Sequence, residues 1–370
     1  MLASAPKDHR LLPPAQAMAG AWLTIDRGVL ADNYRHLDAL SGDAECAAVI
    51  KADGYGLGAE QIAPTLYEAG AKTFFVAHLV EGIRLRPVVP EARIFVLHGF
   101  MPGCAKLLHE HNLIPALNDV AQVREWAALG ADHGQALPCA VQVDSGMSRF
   151  GLSAEDIAEE GLFDGVAPCL VMSHLACADT PENPANAAQR QNFLAMAEYF
   201  PGVPRSLAAS SGIFLGPDYH FELVRPGAAL YGVAPNDDTP SLGQVARLMA
   251  RITQIRTVPA GGRIGYGLTW EAQRPTRVAT LGIGYADGFF RAQAGSAAVW
   301  YGEQRLPLLG RVSMDSISVD LTNAPVDLEP GDVVTVLGAQ QSVDALAASG
   351  KTIGYEILTS LGARFYRVYL

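Results

Sequence analysis

Between residues 44 and 232, short β-branched runs alternate with longer stretches of helical period, and this alternation constrains the fold more than any other feature. The runs are 47–50, 73–77, 93–97, 113–117, 139–143, 169–173, 206–210 and 223–231. Between them lie pieces of helical spacing such as 120–129 and 187–200, and Ile62, Leu66 and Ala69 repeat in the same way after the first run. Strands that alternate with helices build parallel sheets, because parallel neighbours need a crossover connection. Eight units predict an α/β fold, a (β/α)8 TIM-type barrel, compact at roughly 190 residues against a typical length of about 250. An open doubly wound sheet is the alternative.

After Asn236 the pattern changes. Gly and Pro turns separate short alternating runs at 250–258, 276–282, 297–301, 316–321 and 332–337, which predicts a mostly antiparallel β domain. The expected organisation is a loose tail over 1–20, the barrel over 21–236 and the β domain over 237–370. A strand at 21–25 precedes the barrel and is a candidate to join the C-terminal sheet, which would make the second domain discontinuous.

Hydrophobic residues make up 49% of the chain, enough for a sizeable core at 370 residues. A formal net charge of -11 argues against nucleic-acid and anionic-membrane partners, which select clustered Lys and Arg. No apolar run reaches the roughly 18 residues of a membrane span. Lys7, Asp8, His9 and Arg10 interrupt the first twenty residues, against a signal peptide. The five cysteines form no C-x-x-C pair, and a cytoplasmic location is expected. His109-Glu-His111 has no third ligand nearby and reads as a solvated face, so no metal is expected.

Active sites of such barrels form at the C-terminal ends of the strands. The residues expected there are Lys51, His78, His98, Asn118, Asp144, His174, Ser210 and Arg225, a polar and cationic set in an acidic protein, which suits an anionic ligand. Lys51 follows an apolar strand and precedes Asp-Gly-Tyr-Gly-Leu-Gly. Glycines at 54, 56 and 58 let backbone approach a ligand closely, and Tyr55 presents a hydroxyl.

The run from Ala48 to Gly58 resembles the signature of the alanine racemase family, and further motifs follow in the family's order from Trp22 to Tyr366. The resemblance implies that Lys51 carries pyridoxal 5'-phosphate and that Tyr55 reaches its phosphate. Val143-Asp-Ser-Gly-Met-Ser-Arg149 is similar to the segment whose arginine approaches the cofactor oxygen and the substrate carboxylate. Ser173-His174 is similar to the segment whose histidine packs on the pyridine ring, and Ser206-Leu-Ala-Ala-Ser210 to the phosphate-binding serine segment. Val224-Arg225-Pro-Gly227-Ala228 resembles the segment whose arginine faces the pyridine nitrogen while backbone N–H groups meet the phosphate. In the β domain, Ile264-Gly-Tyr266-Gly resembles the segment with the second catalytic residue. Ile283-Gly-Tyr285-Ala-Asp-Gly-Phe-Phe-Arg291 resembles the entrance segment, and Gly310-Arg-Val-Ser-Met314-Asp315 the loop whose methionine backbone meets the substrate.

The implied activity is interconversion of L- and D-alanine by two bases, Lys51 and Tyr266 of a second subunit, in a homodimer with shared sites that supplies D-alanine for peptidoglycan precursors. A chain from Arg225 through His174 to Tyr266 would lower the tyrosine's pKa. Arginine opposite the pyridine nitrogen keeps its own proton, which limits transamination and counts against decarboxylation. Four positions depart from the family pattern. Gln142 stands where many members have a carbamylated lysine, so a chloride or Gln142 itself is expected to brace Arg149. Ala209 and Leu57 replace polar residues near the phosphate. Ala363 replaces a tyrosine at the entrance, for which Tyr366 is a candidate substitute. A wider entrance leaves a broad-specificity amino-acid racemase as the alternative; a non-catalytic cofactor-binding protein would lack the Tyr266 segment.

Overall fold

The computed structural model describes residues 14–370 apart from 237, 240, 241 and 326. It divides into two units, Val29–Gly243 and a discontinuous unit that joins residues up to Gly28 with Gln244–Leu370. The first strand, β1 (Ala21–Ile25), belongs to the discontinuous unit.

In the unit Val29–Gly243, β2 (Glu45–Cys46) and β3 (Ala48–Val49) are two halves of one barrel strand. They are followed by β4 (Thr73–Val76), β5 (Arg93–Val96), β6 (Ile114–Leu117), β7 (Leu137–Gln142), β8 (Val166–Met172), β9 (Arg205–Ser206) and β10 (Leu223–Val224). Strands β3 to β9 pair in sequence order, all in parallel, and β10 pairs with β2. Closure is explicit in the backbone. Glu45, Ala47 and Val49 donate to the carbonyls of Glu222, Val224 and Pro226 at 3.0, 3.0 and 2.9 Å. On the other side of the same segment, Glu222 and Arg225 donate to Arg205 and Ala208 at 3.2 and 2.9 Å. The open doubly wound sheet is thereby excluded.

The strands are apolar on both faces because helices cover the outside and side chains fill the inside. Every residue of β4 is buried, and Phe75 stacks on Phe95 with ring centroids 4.9 Å apart. The covering helices bury one stripe each. In Val120–Asp132, Val123, Trp126 and Gly130 face inward at helical spacing, and the Asp119 carboxylate caps the first turn by accepting the Gln122 N–H at 2.9 Å.

Two expected strands are shorter than their apolar runs. The run at 206–210 ends as a strand at Ser206, and Ser210 opens a helical turn, Ser210–Ile213. The run at 223–231 ends at Val224, because Pro226 has no N–H to donate, and Ala228–Tyr231 winds into a 3-10 turn.

The discontinuous unit contains β11 (Ala246–Val258), β12 (Arg263–Ile264), β13 (Trp270–Glu271), β14 (Thr276–Leu281), β15 (Ala298–Tyr301), β16 (Gln304–Pro307), β17 (Ile317–Asp320), β18 (Val333–Leu337) and β19 (Tyr366–Tyr369). The sheet runs β16-β15-β18-β11-β1-β19, with β14 bridging β11 and β17. Strand β11 alternates buried Ala246, Leu248, Ala250 and Ile252 with more open neighbours, the period of a half-buried strand. Its first half pairs with β1 and β18 and its second half with β14, the register shifting between Ile252 and Gln254. β1 pairs antiparallel with β11 and parallel with β19, Trp22 lying opposite Tyr366. The other pairings in this unit are antiparallel.

Helices Val343–Ser349 and Gly354–Thr359 were not expected after Asn236; at two turns or fewer they are too short to leave a periodic signal. Residues 14–18 of the expected loose tail form a helix, Pro14–Met18, and 1–13 lie outside the described residues. Among the described residues no helix is long and apolar enough to cross a membrane.

Candidate active site

Lys51 follows β3 by one residue, Ile50, and is half-buried at the barrel's C-terminal rim. The chain then turns left-handed: Ala52, Asp53, Gly54, Tyr55 and Gly56 have φ of 52, 54, 63, 55 and 80°. Each non-glycine residue in that conformation costs roughly 1–2 kcal/mol, so the turn persists only because its surroundings hold it. Gly54 and Gly56 donate to Ile50 and Ala52 at 2.9 and 2.8 Å, and the Asp53 carboxylate accepts the Ala59 N–H at 2.8 Å. The Lys51 amine has its pKa lowered by burial first and then by Arg149 and Arg225, while Glu81 acts in the opposite sense. A lowered pKa favours the free amine that attack on a carbonyl or proton abstraction requires.

The turn delivers Tyr55 inward, where it is buried and packs on Tyr231 with ring centroids 4.7 Å apart. Tyr231 in turn donates to the Val49 carbonyl at 3.0 Å. Beside them the Ser210 hydroxyl accepts the N–H groups of Gly227 and Ala229 at 2.9 and 3.2 Å. Ala228, whose N–H is expected to meet the phosphate, lies between them and is buried. A Cβ at Gly227 would stand 2.3 Å from the Tyr55 oxygen, so only glycine fits. The Tyr55 and Ser210 hydroxyls thus gather beside the backbone of 227–229, groups of the kind that bind a phosphate, with the Gly227 and Ala229 N–H groups donating to Ser210. Leu57 is buried and Ala209 half-buried, and neither side chain brings a polar group to the cradle.

Arg225 is 3% exposed, and its acceptors are all neutral: the Ser206 hydroxyl and the carbonyls of Ser173 at 2.6 Å and Leu207 at 3.5 Å. Burial lowers its pKa to about 10, still charged at neutral pH. His174 follows β8. Burial first, then Arg225, Lys51 and Arg149, depress its pKa to about 3, so the ring is neutral at pH 7. Arg225 reaches this ring through its field, and its guanidinium also donates to the preceding carbonyl, that of Ser173.

Arg149 is exposed on the loop after β7, its guanidinium 5.9 Å from the Phe150 ring centroid. Asp144 shapes that loop by accepting the N–H groups of Gly146, Met147 and Ser148 at 2.9, 2.9 and 3.0 Å through one oxygen. A cavity of about 480 Å³ opens beside it, lined by His98, Asn118, Asp144, Ser148, Arg149 and Phe150 among others. Gln142 is buried at the end of β7, and among the described residues no hydrogen bond joins it to Arg149. His78 and His98 stand edge to face, ring centroids 4.5 Å apart.

The remaining motif residues lie in the other unit. Tyr266 opens a 3-10 turn, Tyr266–Leu268, and is 69% exposed. Tyr285 and Met314 are also exposed, and their segments are joined by bonds from Tyr285 and Ala286 to the carbonyls of Ser313 and Met314, both 3.0 Å. Arg364 grips the buried Asp287 through two bonds, 2.7 and 2.8 Å, and reaches Asp315 at 2.6 Å. Arg291 and Ala363 are exposed, and Tyr366 is held in β19.

Sequence reasoning missed Glu81, Gln189 and Asn192. Gln189 accepts the Ala176 N–H at 2.8 Å and donates to the His174 carbonyl at 3.1 Å, while Asn192 donates to the Ser145 carbonyl at 3.0 Å. Both project from the helix Pro184–Ala197 and clamp the loops that carry His174 and Arg149. Amides on a helix leave no sequence signal. Glu81, three residues after His78, has the spacing of a capping glutamate, but nothing in the sequence marks its bond to Ala52.

The description "Alanine racemase, N-terminal domain" matches residues 25–235, and "Alanine racemase, C-terminal domain" matches 245–369. The chain is 48% identical over 365 residues to a protein of Mesorhizobium japonicum named "Alanine racemase, catabolic", covering 97% of this chain and 95% of that one. A protein of Agrobacterium fabrum named "Alanine racemase, biosynthetic" is 45% identical over 368 residues, covering 94% and 93%. Among solved structures, alanine racemase from Bartonella henselae with covalently bound pyridoxal phosphate aligns with a TM-score of 0.91 at 38% identity. That alignment covers 95% of this chain and 100% of that one.

Proposed function

Since the chain belongs to the alanine racemase family, we propose that it interconverts L- and D-alanine with pyridoxal phosphate held on Lys51. The observation that carries this reading is the convergence, on one barrel rim, of a lysine of lowered pKa, a phosphate-shaped cradle and a buried arginine without a carboxylate partner. Tyr55, Ser210 and the Gly227 and Ala228 amides would hold the phosphate, His174 would pack on the ring, and Arg225 would face the ring nitrogen. When bound, the cofactor supplies the electron sink that makes the Cα proton acidic.

The protein's own groups move and orient. Lys51 Nζ takes or returns the proton on one face of Cα. Tyr266 of a second copy serves the opposite face, which makes the working unit a homodimer; its high exposure on its own unit supports that role. Arg149 and the Met314 backbone orient the substrate carboxylate, and Tyr285, Arg291 and Asp315 line the entrance. Arg225 keeps its proton at neutral pH, so the ring remains a moderate sink. A chloride beside Arg149 would supply the negative charge that Gln142 lacks; an anomalous-scattering map without an anion there removes it. The five free thiols suit a cytoplasmic enzyme, and supply of D-alanine for peptidoglycan precursors is the role this reading proposes.

The cavity beside Arg149 favours a second reading, a racemase that also takes larger amino acids. Racemisation rates over alanine, serine and lysine, read by chiral separation, separate the two. Alanine alone turning over supports the first reading, comparable rates on all three support the second, and no racemisation refutes both. Tyr266→Phe should keep cofactor uptake and selectively impair one direction.

A further inference from the structure

The geometry points to Glu81 as the residue that positions the Lys51 amine. Its carboxylate ties the strained turn after Lys51 to the end of β4. The inference rests on the reading that Lys51 carries the cofactor.

Glu81 lies in the first turn of the helix Leu79–Leu85. One carboxylate oxygen accepts the N–H groups of Ala77 and His78 at 2.7 and 2.9 Å. The other accepts the N–H of Ala52 at 2.6 Å. Ala52 is the residue after Lys51 and the first of the left-handed run. On the near side of Lys51, Ile50 donates to the Phe75 carbonyl of β4 at 2.9 Å. The backbone on both sides of Lys51 is therefore gripped by one neighbouring strand and the helix that follows it. A capping glutamate needs only its own helix's N–H groups; the bond to Ala52 goes beyond capping.

Charge works in the same place. Arg149 and Arg225 face Lys51, and His98 and His174 lie within its field. Glu81 is the carboxylate that opposes them, sustaining the Lys51 amine's proton affinity against burial.

Glu81→Gln removes both the charge and the acceptor for Ala52, and a second substitution at Ala52 then separates them. Its amide oxygen can still cap the helix, but its NH2 cannot accept the Ala52 N–H. The test uses the full-length chain stripped of cofactor with hydroxylamine. Trace acetylation by acetic anhydride, read by peptide mass, gives the pH profile of Lys51 reactivity, and absorbance follows reloading with pyridoxal phosphate. The variant should show a Lys51 midpoint moved to lower pH and a cofactor affinity about tenfold weaker, the scale of one lost charge-assisted hydrogen bond. Ala52→Gly in the Glu81→Gln background should recover affinity, since glycine adopts the left-handed conformation without strain, while leaving the shifted midpoint. General destabilisation would not move the midpoint.

Wild-type affinity together with an unmoved midpoint overturns the proposal. Should Glu81→Gln fail to fold, Glu81→Asp keeps the charge and loses the reach; weakened uptake with a nearly constant midpoint then supports it, and wild-type uptake overturns it. Borohydride reduction followed by peptide mapping of the wild type checks the underlying reading. Attachment at another lysine sinks both, whereas attachment at Lys51 with an unaffected Glu81→Gln sinks this proposal alone.

Discussion

Gly227→Ala offers a direct test of the phosphate cradle. The added carbon would stand 2.3 Å from the Tyr55 oxygen and 3.1 Å from its ring carbon, and 3.3 Å from the Val49 Cβ. The first distance is about 1 Å inside van der Waals contact, and the others are tight but tolerable. Tyr55 has little room to retreat. It is 6% exposed, its ring lies on the 1% exposed Tyr231, and its backbone belongs to the left-handed turn. Over-packing of this kind costs about 1–3 kcal/mol, and moving the Tyr55 hydroxyl should weaken cofactor uptake about tenfold or more. Urea unfolding of the cofactor-free protein gives the first quantity and absorbance titration with pyridoxal phosphate the second. The clash is with one atom, so Tyr55→Phe in the same chain should restore most of the lost stability, a coupling of about 1 kcal/mol or more. It should not restore the affinity, because the hydroxyl itself is gone. A Gly227→Ala protein as stable as the wild type, or a double variant no better than the single, would refute the geometry.

Two further outcomes follow from burial and charge. His174 has a folded pKa of about 3 against about 6.5 unfolded, so below pH 6.5 the unfolded chain binds a proton that the folded chain refuses. Stability should therefore fall as pH drops from 6.5 toward 3, by up to about 2 kcal/mol at pH 5. Urea midpoints of cofactor-free wild type and His174→Gln at pH 7 and pH 5 check this, and equal pH dependence in both would contradict it. In the other unit, Arg364→Ala leaves the buried Asp287 carboxylate with the Gly284 N–H at 2.9 Å and without its guanidinium. A loss of about 2–3 kcal/mol is expected in urea unfolding, against under about 1 kcal/mol for Asp315→Asn, whose carboxylate is exposed.

How much of this was legible in the sequence depended on the range over which each signal acts. The barrel was readable because each strand–helix unit repeats one local pattern, and a strand buried on both faces, such as Thr73–Val76, is apolar throughout. Strand ends were less readable: apolar runs continued past Ser206 and Val224 into turns, because residues lining the rim are as buried as those in the ladder. The pairing of β1 with β11 and β19 joins positions more than 200 residues apart and was open to suggestion only. The site divides in the same way. Lys51, Ser210 and Arg225 stand in recognisable motifs at strand ends, while the groups that hold them do so by geometry. Glu81 reaches Ala52 across 29 residues, and Asn192 reaches Ser145 across 47. The left-handed run at 52–56 is the sharpest case. Glycines at 54 and 56 announce a turn, but Ala52, Asp53 and Tyr55 adopt positive φ with no local preference for it in alanine or tyrosine. That conformation comes from the surrounding structure, and the carboxylates of Asp53 and Glu81 lie at its two ends. A site built on such a turn has its reactive amine set by contacts that no motif records.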